Sequence, residues 1–130
     1  MENERIFDMP RYRLFDEARI SFLRQLLPEF QAKLLLRTAL DVGCGLGTFS
    51  GLLSELGFST QALDGRSDNA EEAARRYPAI QFRVADVEDA AIQGIGTFDL
   101  VLCLGLLYHL ENPFRAIRNI CKLTSQLLPV

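Results

Sequence analysis

The sequence is poor in the residues that build metal centres and covalent cross-links. Its 130 residues include one histidine, His109, and three cysteines, Cys44, Cys103 and Cys121, none close to another. With no CxxC pair and a single imidazole, neither a zinc site nor a disulfide framework is expected. No metal ligand is assigned, and free thiols point to a reducing cytoplasm. Long apolar runs are also missing. The longest, Leu100 to Tyr108, covers nine residues, against about 20 for a bilayer span, so no membrane partner is expected. The start, Met1-Glu2-Asn3-Glu4, has neither the basic nor the apolar stretch of a secretory leader. An excess of basic charge is lacking too. Fourteen Lys and Arg stand against 17 Asp and Glu, for a net charge of -3. Residues 1–37 sum to +1 and residues 38–130 to -4. Neither part forms the basic stripe that neutralises phosphates, and a nucleic-acid partner is not indicated. Without repeats, low-complexity tracts or a Pro/Gly-rich linker, the chain reads as an arm over residues 1–10 and one domain over 11–130.

What is present is an alternation of apolar patterns. Phe15, Ala18, Phe22 and Leu26 recur at three- and four-residue steps and predict a helix over 11–27. Pro28 suits the first turn of a second helix, to about Leu36. Thr38 to Val42 is a short apolar run stopped by glycines, the pattern of a strand buried on both faces. Thr48 opens a helix that Gly57 ends. Residues 59–64 read as strand two. Asp68 and Glu71 have capping-box spacing, ahead of an apolar stripe through Ala70, Ala73, Ala74 and Tyr77. Ile80 to Val84 and Phe98 to Cys103 read as strands three and four. Asn112-Pro113 is an N-cap followed by proline, opening a helix to Leu127 that buries Phe114, Ile117 and Cys121. Strands alternating with helices require a parallel sheet with right-handed crossovers. The expected order is 3-2-1-4, with a crevice above strand one, where the order reverses.

Three acidic strand ends surround that crevice. In Asp41-Val42-Gly43-Cys44-Gly45-Leu46-Gly47 the glycines permit a sharp turn and close approach of a ligand. The helix beyond offers free N–H groups, suited to a phosphate or a carboxylate. Asp41 would repel a pyrophosphate but can hold an ammonium, so a zwitterionic amino-acid ligand satisfies both. The spacing does not fit G-x-G-x-x-G, because its last position falls on Thr48 or Ser50. Asp64, 17 residues beyond Gly47, can accept both hydroxyls of a ribose, and Gly65 leaves room for that sugar. A loop position predicts that Asp64→Ala leaves stability nearly unchanged. Asp86, followed by Val87, can accept from the amine of adenine while the next N–H donates to the ring. Alternative readings remain open: a bare turn at the glycines, a capping aspartate at 64 and a solvated acidic loop at 86.

These segments resemble the class I S-adenosylmethionine-dependent methyltransferases. Ala39 to Gly47 is similar to the first motif, Asp64 to the acidic second motif and Asp86-Val87 to the adenine motif. Phe98 to Cys103 is similar to the fourth-strand motif, and Leu107 to Pro113 to the segment after it. The resemblance runs from about Arg19 to Leu123. It implies an α/β, three-layer, Rossmann-like fold that binds S-adenosylmethionine and releases S-adenosylhomocysteine, with no metal. It also implies that Cys103 and Leu104 lie beside the methionine part, and that Arg19 sits where some members hold its carboxylate. Tyr108 and His109 stand where members place substrate-facing groups, and an imidazole there can act as a general base. Packing at the crevice mouth is the other reading for both. No nucleophile–base arrangement surrounds Cys44 or Cys103.

Such methyltransferases continue with three further strands, in order 3-2-1-4-5-7-6. The expectation is therefore a truncated fold with strand four as an unprotected apolar edge. That edge predicts a homodimer, or a partner chain that completes the sheet. The expected function is methyl transfer to an unidentified acceptor, a small molecule by default. The alternatives are a non-catalytic S-adenosylmethionine-binding or assembly module, a fragment of a longer methyltransferase and, third, a nicotinamide oxidoreductase.

Overall fold

Apolar runs bounded by glycine and acidic residues become the strands of a single parallel sheet in the computed structural model, which describes residues 5–130. A 3-10 turn at Ile6–Asp8 leads into α1 (Pro10–Leu34), β1 (Thr38–Val42), α2 (Thr48–Glu55), β2 (Ser59–Asp64), α3 (Ser67–Arg76) and β3 (Gln81–Val84). A 3-10 turn at Ala90–Ile95, β4 (Phe98–Leu102), another at Leu107–His109, α4 (Pro113–Leu123) and β5 (Thr124–Leu127) follow. The strand order is β3-β2-β1-β4-β5, so β1 is central and the order reverses beside it. No helix among the described residues is long and apolar enough to cross a membrane.

Side chains alternate across the pleat and divide the core into two layers. Ala39, Leu100 and Leu102 pack with Leu23 and Leu27 of α1 and Leu52 and Leu53 of α2. Leu40, Val42, Val101 and Cys103 pack on the other face with Ala116, Ile120 and Leu123 of α4. Two-residue spacing places Asp41 on the Ala39 side, facing α2. The two strands that meet at the crevice are aligned by Asp99. Its carboxylate accepts the Arg37 and Thr38 N–H groups at 2.8 and 3.1 Å, and its own N–H donates to the Thr38 hydroxyl at 2.9 Å.

Several local expectations change. One helix replaces the two expected before β1, with Pro28 inside it. Pro28 is exposed, while its neighbour Leu27 is fully buried, so packing overrides the missing N–H. The buried stripe of α1 is Leu23 and Leu27, with Ile20 and Phe30 beside them. Phe15, Ala18 and Phe22 face outward. Both sets have helical spacing, because apolar residues occupy more than one side of α1. In α4 the buried positions are Ala116, Asn119, Ile120 and Leu123, whereas Phe114 and Cys121 are exposed. Arg66, not Asp68, is the N-cap of α3, and Asp68 turns back to pair with its guanidinium at 2.9 Å.

The largest correction is at the end of the chain. The last helix stops at Leu123, and Thr124–Leu127 pair in parallel with β4. Thr124 donates its hydroxyl to the Ile120 carbonyl at 2.9 Å as the backbone turns extended. Cys103 N–H then donates to the Pro129 carbonyl at 3.0 Å. Strand four is therefore internal, not an edge, and Leu100, Val101 and Leu102 are fully buried within the one chain.

Candidate functional site

The crevice above β1 is a cavity of about 510 Å³, in the range typical of small-molecule sites. Its floor is the loop after β1. Gly43, Gly45 and Gly47 all have left-handed backbones, with φ of 71°, 55° and 86°. Their roles nevertheless differ. A side chain at Gly47 would meet Tyr77 and Phe82 at 3.0–3.2 Å, and one at Gly43 would meet Leu106 at 3.0–3.2 Å. At Gly45 the nearest atoms belong to the Phe7 ring, at 3.7–3.9 Å, so a side chain there would project into the gap between loop and ring. Gly47 is not among the cavity walls, and it packs the loop against α3 and β3 instead.

Two buried carboxylates face this cavity. Asp41, at the end of β1, accepts the Ser50 hydroxyl at 2.7 Å. Burial pushes its carboxyl up to about 6, opposed by the Ser50 hydroxyl and backbone hydrogen bonds and assisted by the nearby Asp64. Asp64, at the end of β2, accepts from Gly45 N–H at 2.9 Å, Arg66 N–H at 2.9 Å and Asn69 Nδ2 at 3.2 Å. It thus also holds the glycine loop in place. Cys44 lies in the loop, where burial and the two carboxylates raise its thiol well above its ordinary range. Burial likewise pushes Cys103 up to about 11. Both are neutral near pH 7 and neither is an activated nucleophile.

The mouth is built by the segment after β4 and by α1. Leu104, Tyr108 and His109 line it, with the Tyr108 and His109 rings 4.3 Å apart at 45°. Arg19 reaches in from α1, with Nη1 3.8 Å from Asp16 and near Gly105. Burial raises Asp16, and the Arg19 charge opposes that shift.

Of the residues singled out from sequence, Arg19, Asp41, Gly43, Cys44, Gly45, Asp64, Gly65, Leu104, Tyr108 and His109 meet around one cavity. Gly47, Asp86, Val87 and Cys103 do not line it. Val87 and Cys103 are core residues. Asp86 lies just beyond, following Ala85, whose N–H donates to the Asp64 carbonyl at 3.0 Å, and its carboxylate accepts Glu88 N–H at 2.8 Å.

Sequence reasoning missed one wall. Ile6, Phe7 and Tyr12 cover the cavity from the N-terminal side, in a stretch expected to be partly a loose arm. Asp8 ties it to α3, accepting from Arg76 at 3.2 and 3.0 Å. Residues 1–4 of that arm lie outside the described residues. Ser50 and Asn69, which support the two carboxylates, were missed as well. No periodicity marks them, although both follow their acidic partners closely in sequence.

Residues 40–126 match the family model described as a methyltransferase domain. The chain is 34% identical over 123 residues to a ubiquinone biosynthesis O-methyltransferase of Caulobacter sp. (strain K31), covering 86% of this chain and 49% of that protein. Its namesake from Xanthomonas campestris pv. campestris (strain B100) is 36% identical over 84 residues, 61% of this chain and 35% of that one. The chain therefore spans about half the length of the first of these relatives, or less. Among solved structures, the N-terminal domain of EvdMO1 with SAH bound superposes with a TM-score of 0.67 at 28% identity, over 81% of this chain and 47% of that one. The PH0226 protein from Pyrococcus horikoshii OT3 shares the fold, with a TM-score of 0.72 at 24% identity over 96% of this chain and 58% of that one. Motifs, sheet order and family match converge: the chain belongs to the class I S-adenosylmethionine-dependent methyltransferases.

Proposed function

We propose that this chain binds S-adenosylmethionine in the crevice above β1 and takes part in methyl transfer to a small-molecule acceptor. The observation that carries the reading is the pairing of two buried carboxylates, Asp41 and Asp64, across a glycine loop whose Gly45 leaves space beneath Phe7. The donor set suits the cofactor's own chemistry. Asp41 is the partner for its ammonium and Arg19 for its carboxylate. Asp64 has oxygen acceptors for the ribose hydroxyls, and Gly65 leaves them room. Asp86, which follows Ala85 beyond the cavity walls, would be the acceptor for the adenine amine. When bound, the cofactor supplies an electrophilic methyl group on sulfur. The protein's part is to align the acceptor and exclude water.

The relatives are O-methyltransferases by name, which favours an oxygen acceptor. Transfer to a hydroxyl releases a proton, and the His109 imidazole at the mouth is a group able to receive it, with the Tyr108 ring beside it. His109→Ala should lower turnover at saturating acceptor while leaving S-adenosylhomocysteine affinity unchanged. Both residues are exposed, which favours the second reading, a cofactor-binding module without catalysis. Calorimetry with S-adenosylhomocysteine and NAD tests the cofactor class, and tight binding of NAD alone would overturn it. A methyl-transfer assay over a panel of phenols and alcohols separates catalysis from binding.

A further inference from the structure

We propose that Ser50 is a positioning residue for the cofactor, holding the Asp41 carboxylate in place for the ammonium of the methionine moiety. The inference rests on the reading that Asp41 meets that ammonium. Ser50 lies on α2, fully buried, among Gly51, Leu52 and Leu53. Packing alone gives no reason for a hydroxyl there, because an alanine would fill nearly the same space. A buried serine in a helix usually turns its hydroxyl back to the carbonyl four residues earlier. Here it crosses instead to Asp41 Oδ2, at 2.7 Å. That is a well-formed hydrogen bond for a hydroxyl donor.

The charges around Asp41 explain why such a donor matters. Asp64 on β2 repels it, and burial disfavours its charged form. Cys44 on the loop and Cys103 after β4 are neutral neighbours. Asp16 and Arg19 of α1 and His109 at the mouth line the same cavity. Among the described residues, the Ser50 hydroxyl is the side-chain donor to this carboxylate. Its hydroxyl and backbone N–H both favour the ionised state that an ammonium ligand requires. Removing the hydroxyl should therefore weaken the ligand and move the pH at which binding fails.

The test is calorimetric titration with S-adenosylhomocysteine from pH 5 to 8.5, using the whole chain and the variants Ser50→Ala, Ser50→Thr and Asp41→Asn. Ser50→Ala should bind about tenfold more weakly at pH 7. Its acid limb should move upward by about one pH unit, because a lost donor to the carboxylate favours the protonated form. Ser50→Thr, which keeps a hydroxyl, should restore the wild-type limb even with a lower melting temperature. Asp41→Asn should bind at least about tenfold more weakly and lose the limb. Weaker binding by Ser50→Ala with an unmoved limb would make Ser50 structural only and overturn the proposal. So would wild-type behaviour of Ser50→Ala beside a weakened Asp41→Asn. Wild-type affinity in Asp41→Asn would instead overturn the ammonium assignment beneath it, and the proposal with it.

Discussion

At the residue scale, Asp41 and Asp64 look alike in sequence but are held very differently. Burial lifts Asp41 to about 6 from an ordinary 3.8. A raised pKa means that its contribution favours the folded state most below pH 3.8 and is lost as pH rises through about 6. Without ligand, Asp41→Asn should therefore be more stable than wild type at pH 7, by at most on the order of 3 kcal/mol. Denaturant melts at pH 4 and pH 7 check this, and equal gains at both would refute it. Asp64 instead accepts three hydrogen bonds, one from the glycine loop itself. Asp64→Ala should weaken S-adenosylhomocysteine by about 1.5–3 kcal/mol. It should also lower stability by at least about 1 kcal/mol, contrary to the expectation for a loop residue. Parallel calorimetry and melts separate the two losses.

At the scale of elements, the loop between β1 and α2 divides its work among three glycines. Gly47 has a left-handed backbone, and a methyl group there would press on Tyr77 and Phe82 at 3.0–3.2 Å, so those rings would have to give. Gly47→Ala should cost about 1–3 kcal/mol of stability. A Cβ at Gly45 would only touch the Phe7 ring, at 3.7–3.9 Å, so Gly45→Ala should reduce S-adenosylhomocysteine binding more than tenfold, with backbone strain as its main structural effect. Melting and binding measurements on this pair should rank the two variants in opposite orders; the same order would show that both glycines serve one role. The N-terminal turn is a second functional element. Phe7 forms the ceiling of the cavity, and the turn is tied to α3 by Asp8 with Arg76 and by Arg5 with the Asp68 carbonyl. Nothing in the spacing of residues 5–9 announces it.

For the whole molecule, β5 changes the argument about assembly. Val101 lies between β1 and β5 with no exposed surface. Val101→Lys should therefore unfold the chain, by on the order of 3–5 kcal/mol, rather than release a folded monomer. Circular dichroism checks this, and a well-folded variant would show that the α4 layer does not stay packed over Val101. The proposal of self-association passes to β5, whose Ser125 and Gln126 are exposed and whose outer side has no strand among the described residues. Light scattering over a dilution series decides it. A mass that falls on dilution supports pairing, and a constant monomer mass ends the proposal.

Local chemistry was enough to read the parallel α/β fold, the 3-2-1-4 order and most of the crevice. A strand buried on both faces, a glycine turn and an acidic strand end are each written within a few neighbouring residues, and right-handed crossovers leave little choice of topology. The tertiary structure decided whatever depends on a distant partner. Leu23 and Leu27 rather than Phe15 and Phe22 face the sheet because β1 and β4 offer a surface on that side. Thr124 to Leu127 become a strand because β4 presents an open edge, not because four residues have a pattern of their own. Ser50 becomes part of the candidate site because the pleat turns Asp41 toward α2, a hydrogen bond that only the packed structure brings into reach.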